Sequence, residues 1–291
     1  MNIETPASIR APSRAGIRAG IHAGIRARVW GSLPAAVPVF LPVVVLAALA
    51  LPLGAQTDFH NLDKHRPLRV EDAYATKQWA FELQASPFAL HRERTGPLRY
   101  TPAIELKYGF LPGMEGSVGI GVDVARDEGE SRTALEEVEV SGLVNLWVEG
   151  SSLPAAAVRV TGHMAASSGK SSVLEARAIL TRSLIGAVRA HLTAAAIVGQ
   201  ARAEEGWVGL AIDRTLPFRH TLLLAECWIS FPAEGARVVH SSAGVRYQLS
   251  PALVLDAGAG RGWTGDARQS WSLTFGVTHE FGIRSLIPGG L

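Results

Sequence analysis

Trp271-Ser272-Leu273-Thr274-Phe275-Gly276-Val277-Thr278-His279-Glu280-Phe281 alternates along its whole length. Trp271, Leu273, Phe275, Val277 and Phe281 fall on one side of an extended chain, and Ser272, Thr274, Gly276, Thr278 and Glu280 on the other, because successive side chains of a strand point to opposite faces. A helical period of 3.6 would spread the same residues around an axis. The run is 11 residues long. Strands of soluble sheets average about 5–6 residues, whereas a strand that crosses a bilayer at a tilt needs about 9–11.

The same period recurs upstream. Phe81, Leu83 and Ala85 alternate with Glu82 and Gln84; Ile104 and Leu106 with Glu105 and Lys107; Val138 and Val140 with Glu139; Val158 and Val160 with Arg159. Leu174 and Ala176 alternate with Glu175 and Arg177, Leu223 and Cys227 with Glu226, and Leu253 and Leu255 with Asp256. About twelve strands of roughly ten residues fit between Trp79 and Phe281. Their polar faces carry charges in mid-strand, which suits a wet interior with an apolar face turned to lipid. The expected fold is all-β: an antiparallel transmembrane β-barrel of about 12 strands. A soluble β-sandwich also alternates, but strand length and mid-strand charge favour the barrel.

The connections alternate in length. Short turns are expected at 111–114, 150–154, 183–186, 217–219 and 250–251, and longer polar links at 91–97, 126–135, 166–172, 201–206, 232–235 and 264–270. Bacterial barrels place short turns on the periplasmic side and long loops outside. An even strand count then returns both barrel ends to the periplasm.

The segment before the barrel divides in two. Residues 1–55 read as a signal peptide with an extended basic n-region. Residues 14–28 repeat Arg/His-Ala-Gly-Ile, an apolar run spans Ala35 to Ala50, and Gly54-Ala55 offers a cleavage site. An uncleaved anchor helix is the competing reading. Five arginines and one acid lie in these residues, so the +2 net charge of the whole chain leaves 23 basic and 25 acidic residues beyond them. That balance does not suit a nucleic-acid partner. Residues 56–77, with Asp58, His60, Asp63, Lys64, Arg66, Glu71 and Asp72, read as a periplasmic lead-in or plug. The barrel is placed at 78–281 and a C-terminal extension at 282–291.

Motifs for other chemistry fail on particular residues. Ala165-Ala166-Ser167-Ser168-Gly169-Lys170-Ser171 approaches a phosphate-binding loop, but Met164 stands where its first glycine is required. Gly258-Ala259-Gly260-Arg261-Gly262 is followed by Trp263, which breaks the dinucleotide pattern. The single cysteine, Cys227, excludes an intrachain disulfide. The His/Asp cluster of the lead-in matches no metal-ligand spacing. His163, His191 and His240 lie on polar strand faces without a Gly-x-Ser-x-Gly partner, so neither an enzyme nor a cofactor is expected. Glu105, Lys107, Glu139, Arg159, His163, Glu175, Arg177, Arg189, His191, Asp213, Glu226, Arg246 and Asp256 are the candidate lumen-lining residues. They either pair to neutralise one another or form a polar filter for solutes. Trp79, Trp147, Trp207, Trp228, Trp263 and Trp271 are expected in the interfacial girdles.

Two resemblances follow. Trp271 to Phe281 resembles the C-terminal strand that outer-membrane barrels present to the barrel-assembly machinery, although His279 stands at a usually apolar position and ten residues follow Phe281. The lead-in from Asn61 to Tyr74, running into the first strand, is similar to outer-membrane transporters grouped with the "MetA-pathway of phenol degradation" proteins. The resemblance implies an outer-membrane channel or transporter, in contact with lipid, for passive uptake or efflux of small apolar or aromatic solutes. A non-transport barrel (lipase-like or structural) and a periplasmic β-sandwich binding module are the competing classes.

Overall fold

The computed structural model describes residues 60–64, 66–94, 96–127, 130–165, 172–199, 204–217, 220–264, 270–283 and 286. The signal peptide expected at 1–55 and the phosphate-loop-like residues 166–171 lie outside them. Thirteen strands follow in order: β1 (Ala80–Arg92), β2 (Leu98–Tyr100), β3 (Ala103–Leu111), β4 (Met114–Asp127), β5 (Glu130–Trp147), β6 (Ala155–Ala165), β7 (Val173–Ser183), β8 (Val188–Gly199), β9 (Glu204–Thr215), β10 (Thr221–Pro232), β11 (Val238–Ser250), β12 (Leu253–Gly262) and β13 (Trp271–Gly282). Each pairs antiparallel with its neighbour, and β13 pairs back onto β1. The sheet closes, and closure excludes the sandwich.

β2 and β3 are one stave in two pieces. Both pair with β1 and β4, and they are interrupted only at Thr101-Pro102. Proline has no N–H for the ladder. Beside this break β1 carries an extra residue between Ala85 and Phe88, a bulge against β13. The barrel therefore has the 12 staves counted from the period of two.

The short turns lie at the end where β1 begins and β13 finishes. Pro112-Gly113 joins β3 to β4, with Gly113 at φ +73°; a turn with proline first and a positive φ second is met at no steric cost by this pair. The link expected at 126–135 is a correction. β4 runs to Asp127 and β5 starts at Glu130, paired to the last residue. The hydrophilic stretch Glu130–Glu137 had hidden a strand that stands above the neighbouring β6, whose pairing with β5 stops at Glu137.

Outward faces carry Val118, Val140, Leu146, Val160, Leu174, Leu192, Leu210, Leu223 and Leu273, all exposed. A belt of this extent would aggregate in water and is the outer surface a transmembrane barrel needs. Cys227 is exposed on the same face. Trp147, Trp263 and Trp271 are exposed near strand ends. Trp207 and Trp228 correct the girdle expectation: both lie on the inward face of their strands with Ala211 and Glu226, and Trp207 is fully buried.

Candidate functional site

The lead-in decides what the interior is. From His60 to Trp79 it makes polar or close contacts with every stave. Arg66 donates to the carbonyls of Ala85 on β1 (3.0 Å) and Val277 on β13 (3.1 Å) and to Thr278 Oγ1 (3.1 Å). Asp63 accepts from Lys107 on β3 and from Arg246 on β11 (2.6 Å). Thr76 donates to Glu115 on β4 (2.7 Å), and Lys64 to Glu139 on β5. Glu71 accepts from Arg159 on β6 (2.8 Å) and Arg177 on β7 (3.1 Å). Asp72 faces Arg189 on β8 at 3.5 Å, and His60 bonds Thr215 on β9 (3.1 Å). Glu226 on β10 accepts the backbone N–H groups of Arg69 and Val70 (2.9 and 2.8 Å). Asp256 on β12 lies 3.8 Å from Arg66. A segment of this length can reach all twelve staves only from inside. The lumen is filled.

The segment enters and leaves at the turn end as a hairpin. Its two legs are tied by the Leu62 N–H donating to Asp72 Oδ2 (3.2 Å) and the Asp72 N–H donating to the Leu62 carbonyl (3.3 Å). The tip, Arg66 to Val70, reaches mid-barrel. There Pro67 packs on Gly244 and Gly258, where a Cβ would come within 2.6 and 2.5 Å of its ring. Arg69 lies over the rings of Trp207 (4.5 Å) and Trp228 (4.2 Å), an attraction between a cation and two π-faces. Leu62, Leu68 and Val70 form a small core with Trp207, Ala211, Leu222, Leu224 and Val254. Ala73 does the same with Leu143, Ala155, Ala157 and Ile179.

All thirteen charged residues singled out from the sequence lie on inward strand faces. The structure brings them into one network, with the lead-in as the common partner. Glu105 faces Lys64 at 3.6 Å, and Arg189 salt-bridges Asp213 at 2.6 Å. His191 bonds Asp213 (2.9 Å) and Thr181 (3.1 Å), and Thr181 in turn accepts the Ala73 N–H (2.9 Å). Glu175 accepts from Arg177 and from Trp207 Nε1, each at 2.8 Å. His163 stands among Glu137, Glu139 and Glu175. Sequence reasoning missed Glu82, Glu115, Asn145 and Thr181. Glu115 was the most accessible of these, since it stands on β4 in phase with Ser117 and Gly119.

Two cavities stand out among the described residues. One, of about 380 Å³, lies in the loop-ward half between β1, β3, β4, β5 and β13; its lining includes Lys64, Arg66, Glu105, Glu137 and Glu139 together with Ala89, Leu90, Ala103, Ile104 and Ile120. The other, of about 160 Å³, lies toward the turn end beside Asp72, Tyr74, Glu82 and Glu280.

A closed antiparallel barrel of twelve staves with an apolar belt, short turns at the chain-end rim and an inward polar face is the architecture of outer-membrane channels. Solved structures agree. An outer membrane channel from Pseudomonas putida F1 aligns with TM-score 0.56 at 10% identity, covering 72% of this chain and 98% of that one. The KdgM porin aligns with TM-score 0.51 at 9% identity over 69% of this chain and 99% of its own. The NanC porin aligns with TM-score 0.51 at 9% identity over 68% and 98%. At these identities the agreement is one of fold. No family model matches the chain, and no curated protein does.

Proposed function

We propose that this chain is an outer-membrane transporter for small solutes, exported by its N-terminal segment and closed at rest by its own lead-in. The observation that carries the reading is the loop-ward cavity of about 380 Å³, floored by Lys64 and Arg66 of the lead-in. Its volume falls in the range of ligand pockets, about 300–1,000 Å³. Its inward wall carries Glu105, Glu137 and Glu139 beside Gln84, Ser272 and Thr274, while the side chains of Ile104 and Ile120 at its border turn outward with Val118. The choice of small aromatic or apolar solutes rests on the resemblance of the lead-in to the phenol-degradation group. The strand Trp271–Phe281 serves as the recognition signal for barrel assembly, and lipid covers the outer belt. The polar-filter reading of the thirteen charges gives way here to a narrower one: they seat the plug, and those facing the cavity select solutes.

The test is calorimetric titration of solutes into the folded barrel in detergent. A Cβ at Gly119 would come no closer than 3.6 Å to its neighbours, so Gly119→Phe fills the cavity without displacing a strand. Wild-type protein should bind phenol-sized aromatics more tightly than sugars of similar mass, and Gly119→Phe should abolish the difference. Equal binding of the aromatics by both proteins would overturn the proposal.

A further inference from the structure

One cluster on the inner wall joins the plug through Glu139 and gathers two further side chains beside it. His163 on β6 sits directly opposite Glu139 on β5 in the ladder, and Glu137 stands two residues further toward the loops on the same face. His163 Nδ1 lies 3.2 Å from Glu137 Oε2 and 3.4 Å from Glu139 Oε1. Ligand atoms about 2.0–2.1 Å from a tetrahedral ion stand about 3.4 Å apart, and these separations match. The donor atoms of all three residues lie within 4.8 Å of one another.

The surroundings are those of a metal-binding imidazole. A ligating histidine almost always gives its second ring nitrogen to a carboxylate or carbonyl. His163 Nε2 faces Glu175 Oε2 at 3.4 Å, and Glu175 is itself held by Arg177 and Trp207. Glu137 and Glu139 both line the loop-ward cavity, so a fourth position is open to water or solute.

We propose that Glu137, Glu139 and His163 form a site for a divalent transition metal of the zinc class. One imidazole with two carboxylates suits zinc and its neighbours, whereas calcium and magnesium take oxygen ligands alone. Glu139 also accepts from Lys64 of the lead-in, so metal binding competes for the plug's partner at this wall. The site does not depend on which solute the barrel carries.

The experiment is calorimetric titration of Zn²⁺ into the full-length mature protein in detergent, with millimolar Ca²⁺ present throughout. Saturable binding of one Zn²⁺ per chain is expected. His163→Ala and, separately, Glu137→Gln should each weaken it at least about tenfold while heat-modifiable gel migration of the folded barrel is unchanged. Absence of saturable binding by the wild type, or equal affinity in folded His163→Ala and Glu137→Gln proteins, would overturn the proposal.

Discussion

Arg246 Nη2 donates to Asp63 Oδ2 at 2.6 Å across 183 residues of chain, and both side chains are buried. Lys107 holds the other oxygen of the same carboxylate. One acid of the lead-in thus neutralises two cations from different parts of the wall, on β11 and on β3, four staves apart. Charges that attract within a wall would be present in an open barrel too. These need the plug.

Asp63→Asn leaves Lys107 and Arg246 facing a neutral amide. Removing one partner of a buried pair costs about 3–5 kcal/mol, and the cost falls on the seating of the lead-in, since every backbone ladder remains. Limited trypsin digestion in detergent should cut after Lys64 or Arg69 in the variant and not in the wild type. Equal protection would show that this pair does not hold the plug.

Gly258→Val tests the tip. A Cβ there would lie 2.5 Å from Pro67 Cβ and 3.2 Å from the Ala243 carbonyl, so the variant overpacks the contact by about 1–3 kcal/mol. Tryptophan emission should change as Arg69 moves off Trp207 and Trp228, while the barrel stays closed by heat-modifiable migration. An unchanged spectrum would place Pro67 elsewhere.

The strands were legible because a barrel wall is read by a local rule: Leu253 to Gly262 and Trp271 to Gly282 declare their two faces within a few residues. What fills the lumen was not, because it obeys no local rule. Leu222, Leu224, Leu143 and Ile179 are apolar on the inner face only because Leu62, Leu68, Val70 and Ala73 pack there, some 70 to 160 positions away in sequence. The inward turn of Trp207 and Trp228 has the same origin in Arg69. The thirteen candidates were found by their position in mid-strand, but their partners Asp63, Lys64, Glu71 and Asp72 were legible only as part of a periplasmic lead-in or plug, with nothing to say which stave each would meet. The β4–β5 extension escaped notice because Glu130–Glu137 has almost no apolar residue to mark its period.

Leu192 and Thr193 separate the lipid from the plug. Leu192 is 40% exposed, and Thr193 is fully buried on the inner face. Leu192→Arg should cost about 2–4 kcal/mol for a charge near mid-bilayer, measured by unfolding in lipid. Thr193→Arg would be harmless in an open lumen. Against a seated plug it should also destabilise, and that loss should disappear when residues 60–77 are removed. A loss that persists without them would trace the effect to the wall.

Topology is tested by single cysteines after Cys227→Ser. Glu234, between β10 and β11, and Ile185, between β7 and β8, are exposed at opposite ends of the barrel. An impermeant thiol reagent on intact cells should label Glu234→Cys and leave Ile185→Cys unmodified. The reverse would invert the barrel.

The most direct test of the plugged lumen is single-channel conductance in planar bilayers, comparing the mature protein with a version lacking residues 60–77. The intact protein should show conductance near the bilayer leak, and the shortened one a steady ohmic current. A steady current of equal size through both would contradict the account.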